Sequence, residues 1–279
     1  SGRTARSRSV RLEPGTASHT GRIRSSNQDS VGLVDGLYVV ADGMGGHRGG
    51  EVASAEAVAA VLAVFDRPDR AGLVAAVRSA NRTILEMTVT RPDLSGMGTT
   101  LCALAVVNSA SGDEVLAVAN IGDSRVYRLA AGELVQVSDD HSLVADLMRA
   151  GELSAEEAAQ HPQRNILTRA LGIEADPVID SWELEPVLGD RYLLCSDGLF
   201  NELDDARLAE VLAAGSVQEA ADRLVGEAVE NGGHDNVTVL VVEVVAGPEA
   251  REGRRSAVPA ARSERSTHSR GAADQARME

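Results

Sequence analysis

Four aspartates stand where a carboxylate has no ordinary structural use. Asp42 closes the apolar run Leu37-Tyr38-Val39-Val40-Ala41, and Asp197 closes Tyr192-Leu193-Leu194-Cys195-Ser196; glycine follows each. Asp123 comes just after the apolar stretch 115–122, and Asp235 stands just before Val237-Thr238-Val239-Leu240-Val241-Val242. Runs of this length and β-branched content read as buried strands. Desolvating a carboxylate at the lip of a buried strand costs on the order of several kcal/mol unless a cation pairs with it. If the lips converge, divalent cations are needed, and hard oxygen ligands suit Mg²⁺ or Mn²⁺. One Asp-Gly by itself is a turn signal. Its recurrence after two strands too apolar to be exposed hairpin arms is what carries the metal reading.

The elements that must position these acids can be read along the chain. Residues 31–34 and 37–41 form a hairpin around Asp35-Gly36. Helices are predicted over 51–65 and 70–90, the second with Leu73, Val77, Ile84 and Met87 near helical spacing. Strands follow over 99–107, 114–122, 124–129 and 133–137, then a helix over 142–150. Ser154-Ala155-Glu156-Glu157 is a capping-box start, and the polar stretch through Arg169 reads as an insertion over the site. Strands at 178–184 and 191–196, helices at 204–214 and 217–230, and a last strand at 236–245 complete the pattern. This order is not the alternation of a parallel α/β sheet. It predicts an α+β fold with antiparallel sheets packed on each other and helix pairs outside.

Composition bounds the rest. The chain has 279 residues, 43% hydrophobic, enough for a full core, and only 2% aromatic, so Val, Leu, Ala and Ile must build it. Residues 1–11 and 247–279 are rich in Arg, Ser, Ala and Gly without apolar periodicity and read as disordered arms around one domain, 12–246. The formal charge is −15; setting aside the 11 arginines and 5 acids of the arms leaves the middle at −21, which argues against nucleic acid as a partner. Cys102 and Cys195 both lie in apolar runs and read as core residues. No signal-peptide pattern and no membrane-length apolar stretch is found, so a cytoplasmic protein, a monomer, is expected.

The loop Asp42-Gly43-Met44-Gly45-Gly46-His47-Arg48-Gly49-Gly50 fails as a dinucleotide fingerprint, because Arg48 stands where a third glycine is required. All 27 basic residues are arginine, which removes a Walker-type phosphate loop. The glycines instead allow a tight path around a metal, with a backbone carbonyl able to ligate it. Arg24, in Arg24-Ser25-Ser26-Asn27-Gln28-Asp29, carries a fork suited to phosphate.

Taken in order, Arg24-x-x-Asn27-x-Asp29, Asp42-Gly43-Met44-Gly45-Gly46-His47, Met97-Gly98-Thr99-Thr100, Ile121-Gly122-Asp123-Ser124-Arg125, Cys195-Ser196-Asp197-Gly198-Leu199 and His234-Asp235-Asn236 resemble the metal-dependent protein phosphatases of the PP2C (PPM) family, bacterial branch. The resemblance covers roughly residues 14–245. It implies an α-β-β-α sandwich of two antiparallel sheets, with metals in a cleft at one edge and a small flap over about 142–170. It also implies that Asp42 bridges two metals with the Gly43 carbonyl contributing. Asp197 and Asp235 would hold the first metal, Arg24 the substrate phosphate, and Asp29 a metal-bound water. Asp123, with Asn165 from the flap, would add a third and weaker metal. The implied activity is hydrolysis of phosphoserine and phosphothreonine by a metal-activated water, with no protein nucleophile. Phosphorylated proteins would be its partners, chiefly a bacterial Ser/Thr kinase and that kinase's targets.

Two departures from the family pattern bear on chemistry. Met44 stands where the eukaryotic branch commonly has a histidine proposed as general acid, and a thioether cannot donate a proton, so that proton must come from water or another residue. His47 lies near in sequence but reads equally as a loop histidine. Gln28 replaces an acid that holds metal water in many relatives. Two other functions share the pattern: a binding module that holds phosphoprotein without turnover, and a hydrolase of small phosphate esters. Intact acids at 42, 197 and 235 argue against the first.

Overall fold

The central strands are apolar at odd and even positions alike, and the architecture supplies the reason. The computed structural model describes residues 10–45, 49–247 and 262–263. Its first half runs β1 (Arg11–His19), β2 (Asp29–Val34), β3 (Leu37–Met44), α1 (Gly49–Val64), α2 (Arg70–Thr90), β4 (Gly98–Thr99), β5 (Leu101–Asn108), β6 (Glu114–Ile121), β7 (Arg125–Ala130) and β8 (Glu133–Gln136). Then come α3 (Leu143–Arg149), α4 (Ala155–Ala159), β9 (Asp180–Leu184), β10 (Arg191–Cys195), α5 (Asp197–Phe200), α6 (Asp205–Leu212), α7 (Val217–Asn231), β11 (Val237–Ala246) and β12 (Arg262–Ser263).

One sheet has the strand order β1-β11-β10-β7-β8 and the other β12-β9-β6-β5-β3-β2, with β4 paired to β3. All these pairings are antiparallel. Strand parity assigns the layers. Leu37, Val39 and Ala41 of β3 and Leu101, Ala103 and Ala105 of β5 pack under α1 and α2. Their neighbours Tyr38, Val40, Cys102 and Leu104 face the other sheet and meet Tyr192, Leu194, Leu240 and Val242. On the second sheet Leu193, Cys195, Val239 and Val241 pack under α6 and α7. Both sheets are interior layers, so neither face of a central strand can be polar. The result is the expected α-β-β-α sandwich, with 0% exposure at Val39, Val40, Leu194 and Leu240 deciding that both faces are covered.

The antiparallel register sends the ends of β3, β6 and β10 and the starts of β2 and β11 to the same end of the sandwich. Asp29 pairs with Asp42, Leu101 with Ile121, and Cys195 with Val239. The flap elements α3 and α4 lie between β8 and β9 and are tied to the core by bridges from Ser142 to Leu167 and from Thr99 to Leu171. The capping box at Ser154 and Glu157 is present as read from sequence.

Several sequence expectations are corrected. Arg11 opens β1 and Val10 is buried, so the ordered edge reaches into the stretch assigned to the basic arm. β1 itself has no expected counterpart, because its only sequence mark is weak alternation around Pro14 and Gly15. The predicted strand 99–107 breaks at Thr100, and four residues after Ser196 form α5 where a strand end was expected to run into a loop. Within the tail, Arg262 and Ser263 pair with Ser181 and Asp180. Apart from Gly247, the rest of both arms, and His47 of the glycine loop, lie outside the described residues.

At the end of the sandwich opposite Asp42, the fold supplies its own counterion. Arg128 Nε donates to Asp190 Oδ2 at 2.7 Å, and both side chains are nearly excluded from solvent. Removing one partner of such a pair strands the other as a buried charge. Asp190→Ala is therefore expected to cost about 3–5 kcal/mol in urea unfolding; a loss under about 1 kcal/mol would mean that Arg128 reaches water.

Candidate metal centre

Asp42 ends the inward-facing series Tyr38, Val40 of β3, so its carboxylate enters the mouth between the sheets. Asp29 sits directly opposite it in register. From the other sheet come Asp197, the first residue of α5, and Asp235, just before β11. Asp123 follows β6 at the turn into β7. Burial raises the Asp42 carboxyl well above the ordinary carboxylate range, and Asp29, Asp197, Asp123 and Asp235 raise it further. Asp197 is pushed up to about 6 by burial and by Asp235, against relief from hydrogen bonds to Asp42 and Asn201 and from the charge on Arg24. Asp123 is pushed up to about 7, by burial first and then by Asp197 and Asp140. Asp29 rises to about 6 on burial, although Ser196 Oγ donates to its Oδ2 at 2.7 Å.

Those shared causes group the five carboxylates; Arg125 acts on Asp123, while Asp42, Asp197 and Asp235 meet Arg24. Its Nη2 donates to Asp235 Oδ2 at 2.6 Å, with the guanidinium half-exposed. Asp29 Oδ1 is buried without a hydrogen-bond partner, so one oxygen of this acid is left for something else. An orphaned oxygen in a cluster of like charges is the environment a hard cation or its water relieves.

The backbone beneath the acids is pinned from several sides. Thr100 Oγ1 accepts the Asp42 N–H at 3.0 Å, and Thr99 Oγ1 donates to the Asp42 carbonyl at 2.9 Å. Thr100 and Ser124 hydroxyls lie 2.6 Å apart, joining the two sheets. Gly43 is required by space: a Cβ there would lie 2.0 Å from the Gly50 carbonyl oxygen, so α1 comes backbone to backbone against the Asp42-Gly43 peptide. Asn236 accepts from the Gln28 N–H and donates to the carbonyls of Thr20 and Ser26, holding the loop that carries Arg24. Thr99, Thr100, Ser124, Ser196 and Asn236 all stand inside the recognised motifs, yet their residue types alone assign them no role; only cross-sheet geometry does.

Asn165 of the flap and Asp123, Asp197 and Asn201 of the core line one cavity of about 540 Å³. Met44 faces a second space, shared with Leu167, Arg169 and Ile173. Among the described residues, no group of three or more His, Cys, Asp or Glu side chains stands ready-made around one ion. That agrees with the donor chemistry. Mg²⁺ keeps several waters and takes only one or two protein carboxylates at a time. The set of oxygen donors fits hard divalent cations, with Asp42 central because all four other acids act on it.

The raised carboxyls fix the sign of a pH effect. A folded-state value above the unfolded one means that stability is full at low pH and is lost as pH rises through the folded value. With chelator present, Asp42→Asn should match wild type near pH 4 and become more stable by about 1–3 kcal/mol by pH 8. Urea unfolding at the two pH values measures this, and a gap that does not open would mean that neither burial nor the neighbouring acids disfavour the Asp42 carboxylate.

Comparison with known proteins follows this geometry. The family described as Protein phosphatase 2C matches residues 18–230. The serine/threonine protein phosphatase PstP of Mycobacterium tuberculosis is 44% identical over 234 residues, 82% of this chain and 44% of that protein. The serine/threonine phosphatase stp of Listeria innocua is 39% identical over 237 residues, 80% of this chain and 92% of that one. A crystal structure of the catalytic domain of PstP with two manganese ions superposes with a TM-score of 0.75 at 40% identity, covering 86% of this chain and all of that one. The chain spans less than half the length of the mycobacterial relative. With a match over most of its length, on a sandwich whose acids gather at one mouth, this chain belongs to the protein phosphatase 2C family.

Proposed function

We propose that this chain hydrolyses phosphoserine and phosphothreonine in proteins, with water as nucleophile and Mg²⁺ or Mn²⁺ as cofactor. The observation that carries this reading is the cluster of five carboxylates at one mouth, one of which, Asp235, holds the half-exposed guanidinium of Arg24. Names of the bacterial relatives and the manganese pair in a solved neighbour support it. Asp42, Asp197, Asp235 and the Gly43 carbonyl would hold two cations, with Asp123 and Asn165 serving a third and weaker one. Bound cations of this kind acidify a water and neutralise phosphoryl charge.

The protein's own residues do the positioning. Arg24 is held by Asp235; were Asp235 engaged by a metal, the Arg24 fork would be available to a phosphoryl group. Asp29 Oδ1, free of protein partners, accepts from and aims a water, while Ser196 fixes its other oxygen. Hydrolysis then exchanges the P–O bond to the seryl or threonyl oxygen for one to the water oxygen. The departing oxygen takes a proton that Met44 cannot give and that solvent water would supply, as the attacking water loses one. Asn165 and the flap close one side of the approach. On this reading the partners are phosphoproteins, a Ser/Thr kinase and its targets among them, met in the cytoplasm by a monomer. No helix among the described residues is long and apolar enough to cross a membrane. We also assign the catalytic unit to residues 12–246, with β1 extending it to Arg11.

Turnover of a phosphothreonine peptide is expected to require added Mn²⁺ or Mg²⁺ and to stop with EDTA; activity that survives in verified metal-free protein would end this mechanism. Asp42→Asn should be the most damaging single change, and calorimetry should show weakened Mn²⁺ binding for it.

Arg24→Ala separates phosphate binding from metal binding. KM for the peptide is expected to rise about tenfold or more while Mn²⁺ affinity holds. Unchanged kinetics would leave Arg24 as a surface arginine.

A further inference from the structure

The Asp123 turn is held by a residue that no part of this chemistry uses. Gly122 has φ +99°, and a Cβ there would lie 2.6 Å from the Thr100 side chain, so the turn admits only glycine. Both polar groups of Gly122 are taken by residue 141. The Gly122 N–H donates to His141 Nδ1 at 3.1 Å, and the His141 N–H donates to the Gly122 carbonyl at 3.0 Å. A backbone N–H can only donate, so Nδ1 is the acceptor and the ring proton sits on Nε2. Nε2–H then donates to Asp180 Oδ2 at 3.0 Å. Arg169 Nη1 donates to the other oxygen of Asp180 at 3.2 Å. The ring is 1% exposed, so it meets neither substrate nor solvent.

The same residue is the root of the flap. The His141 carbonyl accepts the Thr168 N–H at 2.9 Å, and the next residue, Ser142, caps α3 and bridges to Leu167. Arg169 is the last residue of the flap's returning arm before buried Ala170 and Leu171. A chain of hydrogen bonds therefore runs from Arg169 through Asp180 and His141 to the peptide that sets where Asp123 points. Side chains that orient a ligand without touching the ion or substrate are worth about 10–100-fold in affinity or rate.

We propose that His141 is a positioning residue for Asp123: its Nδ1, by accepting the Gly122 N–H, aims the Asp123 carboxylate into the cavity shared with Asn165, while its Nε2–H on Asp180 fastens the ring to the flap root and serves stability. This rests on the phosphatase reading above. It differs from a merely satisfied core histidine in that one ring nitrogen matters to catalysis and the other to stability.

Two half-replacements test the difference. His141→Asn puts an amide oxygen near the Nδ1 position and loses the Asp180 bond; His141→Gln puts an amide N–H near Nε2 and loses the Gly122 acceptor. The asparagine variant is expected to keep kcat within about threefold of wild type. The glutamine variant should lose about tenfold or more in kcat at unchanged peptide KM, and need more Mn²⁺ for half-maximal activity. Hydrogen exchange on the metal-free proteins gives a readout without turnover: the Gly122 amide should stay protected in the asparagine variant and exchange faster in the glutamine one. Equal kcat losses in both variants, or equal Gly122 protection, would overturn the positioning role while leaving the phosphatase reading intact. A wild-type protein without metal-dependent turnover would overturn both.

Discussion

Uncompensated negative charge at one mouth of the sandwich is the constraint on which the rest depends. The layer between the sheets is apolar along its length and charged at each end, but the two ends are treated differently. At one, Asp190 has Arg128 fixed against it. At the other, Asp29, Asp42, Asp123, Asp197 and Asp235 crowd together, and the half-exposed Arg24 that pairs with Asp235 reaches only some of them. Desolvation and mutual repulsion both act against ionising them. A chain optimised only for stability would have replaced some of these acids; keeping all five leaves a deficit of positive charge that divalent cations remove.

Holding such a cluster requires a scaffold stiff enough to resist its own repulsion. Hydroxyls supply part of that stiffness. The Thr100–Ser124 contact and the Ser196–Asp29 bond each join one sheet to the other at the level of the acids. Thr99 and Thr100 also hold both backbone groups of Asp42. Short side chains with one rotor order cheaply, and each bond satisfies a group that would otherwise be buried and unpaired. Gly43 and Gly50 let α1 approach the acid's own peptide, so the charge rests on backbone rather than on flexible side chains.

Asp42, Asp123, Asp197 and Asp235 were legible because each stands at the end of an apolar run, Asp29 only through its motif, and the layers were legible because buried-on-both-faces strands leave runs without alternation. β1 was not: an edge strand with burial on few residues and Pro14 and Gly15 at its centre carries little pattern of its own, and its partner β11 lies more than 200 residues away. α5 was hidden because four residues are too few for any period. His141 was hidden for another reason. Nothing in Asp140-His141-Ser142 distinguishes a loop histidine from a buried one; only the fold brings it against Gly122 and Asp180.

Arg24 and the flap arm ending at Arg169 show how mobility can be built into an otherwise rigid mouth. Arg24 is anchored by one exposed ion pair, a contact worth about 0–1 kcal/mol and easily exchanged for another anion. Its loop, by contrast, is fastened through Asn236 to three backbone groups. The guanidinium can therefore change partners while its Cα stays in place. The flap follows the opposite plan. Its root at His141 and Asp180 is buried, while Arg164, Asn165 and Ile166 on its returning arm are exposed. A buried root beneath an exposed segment confines local opening to the part that lines the cavity, so that opening need not disturb the acids beneath.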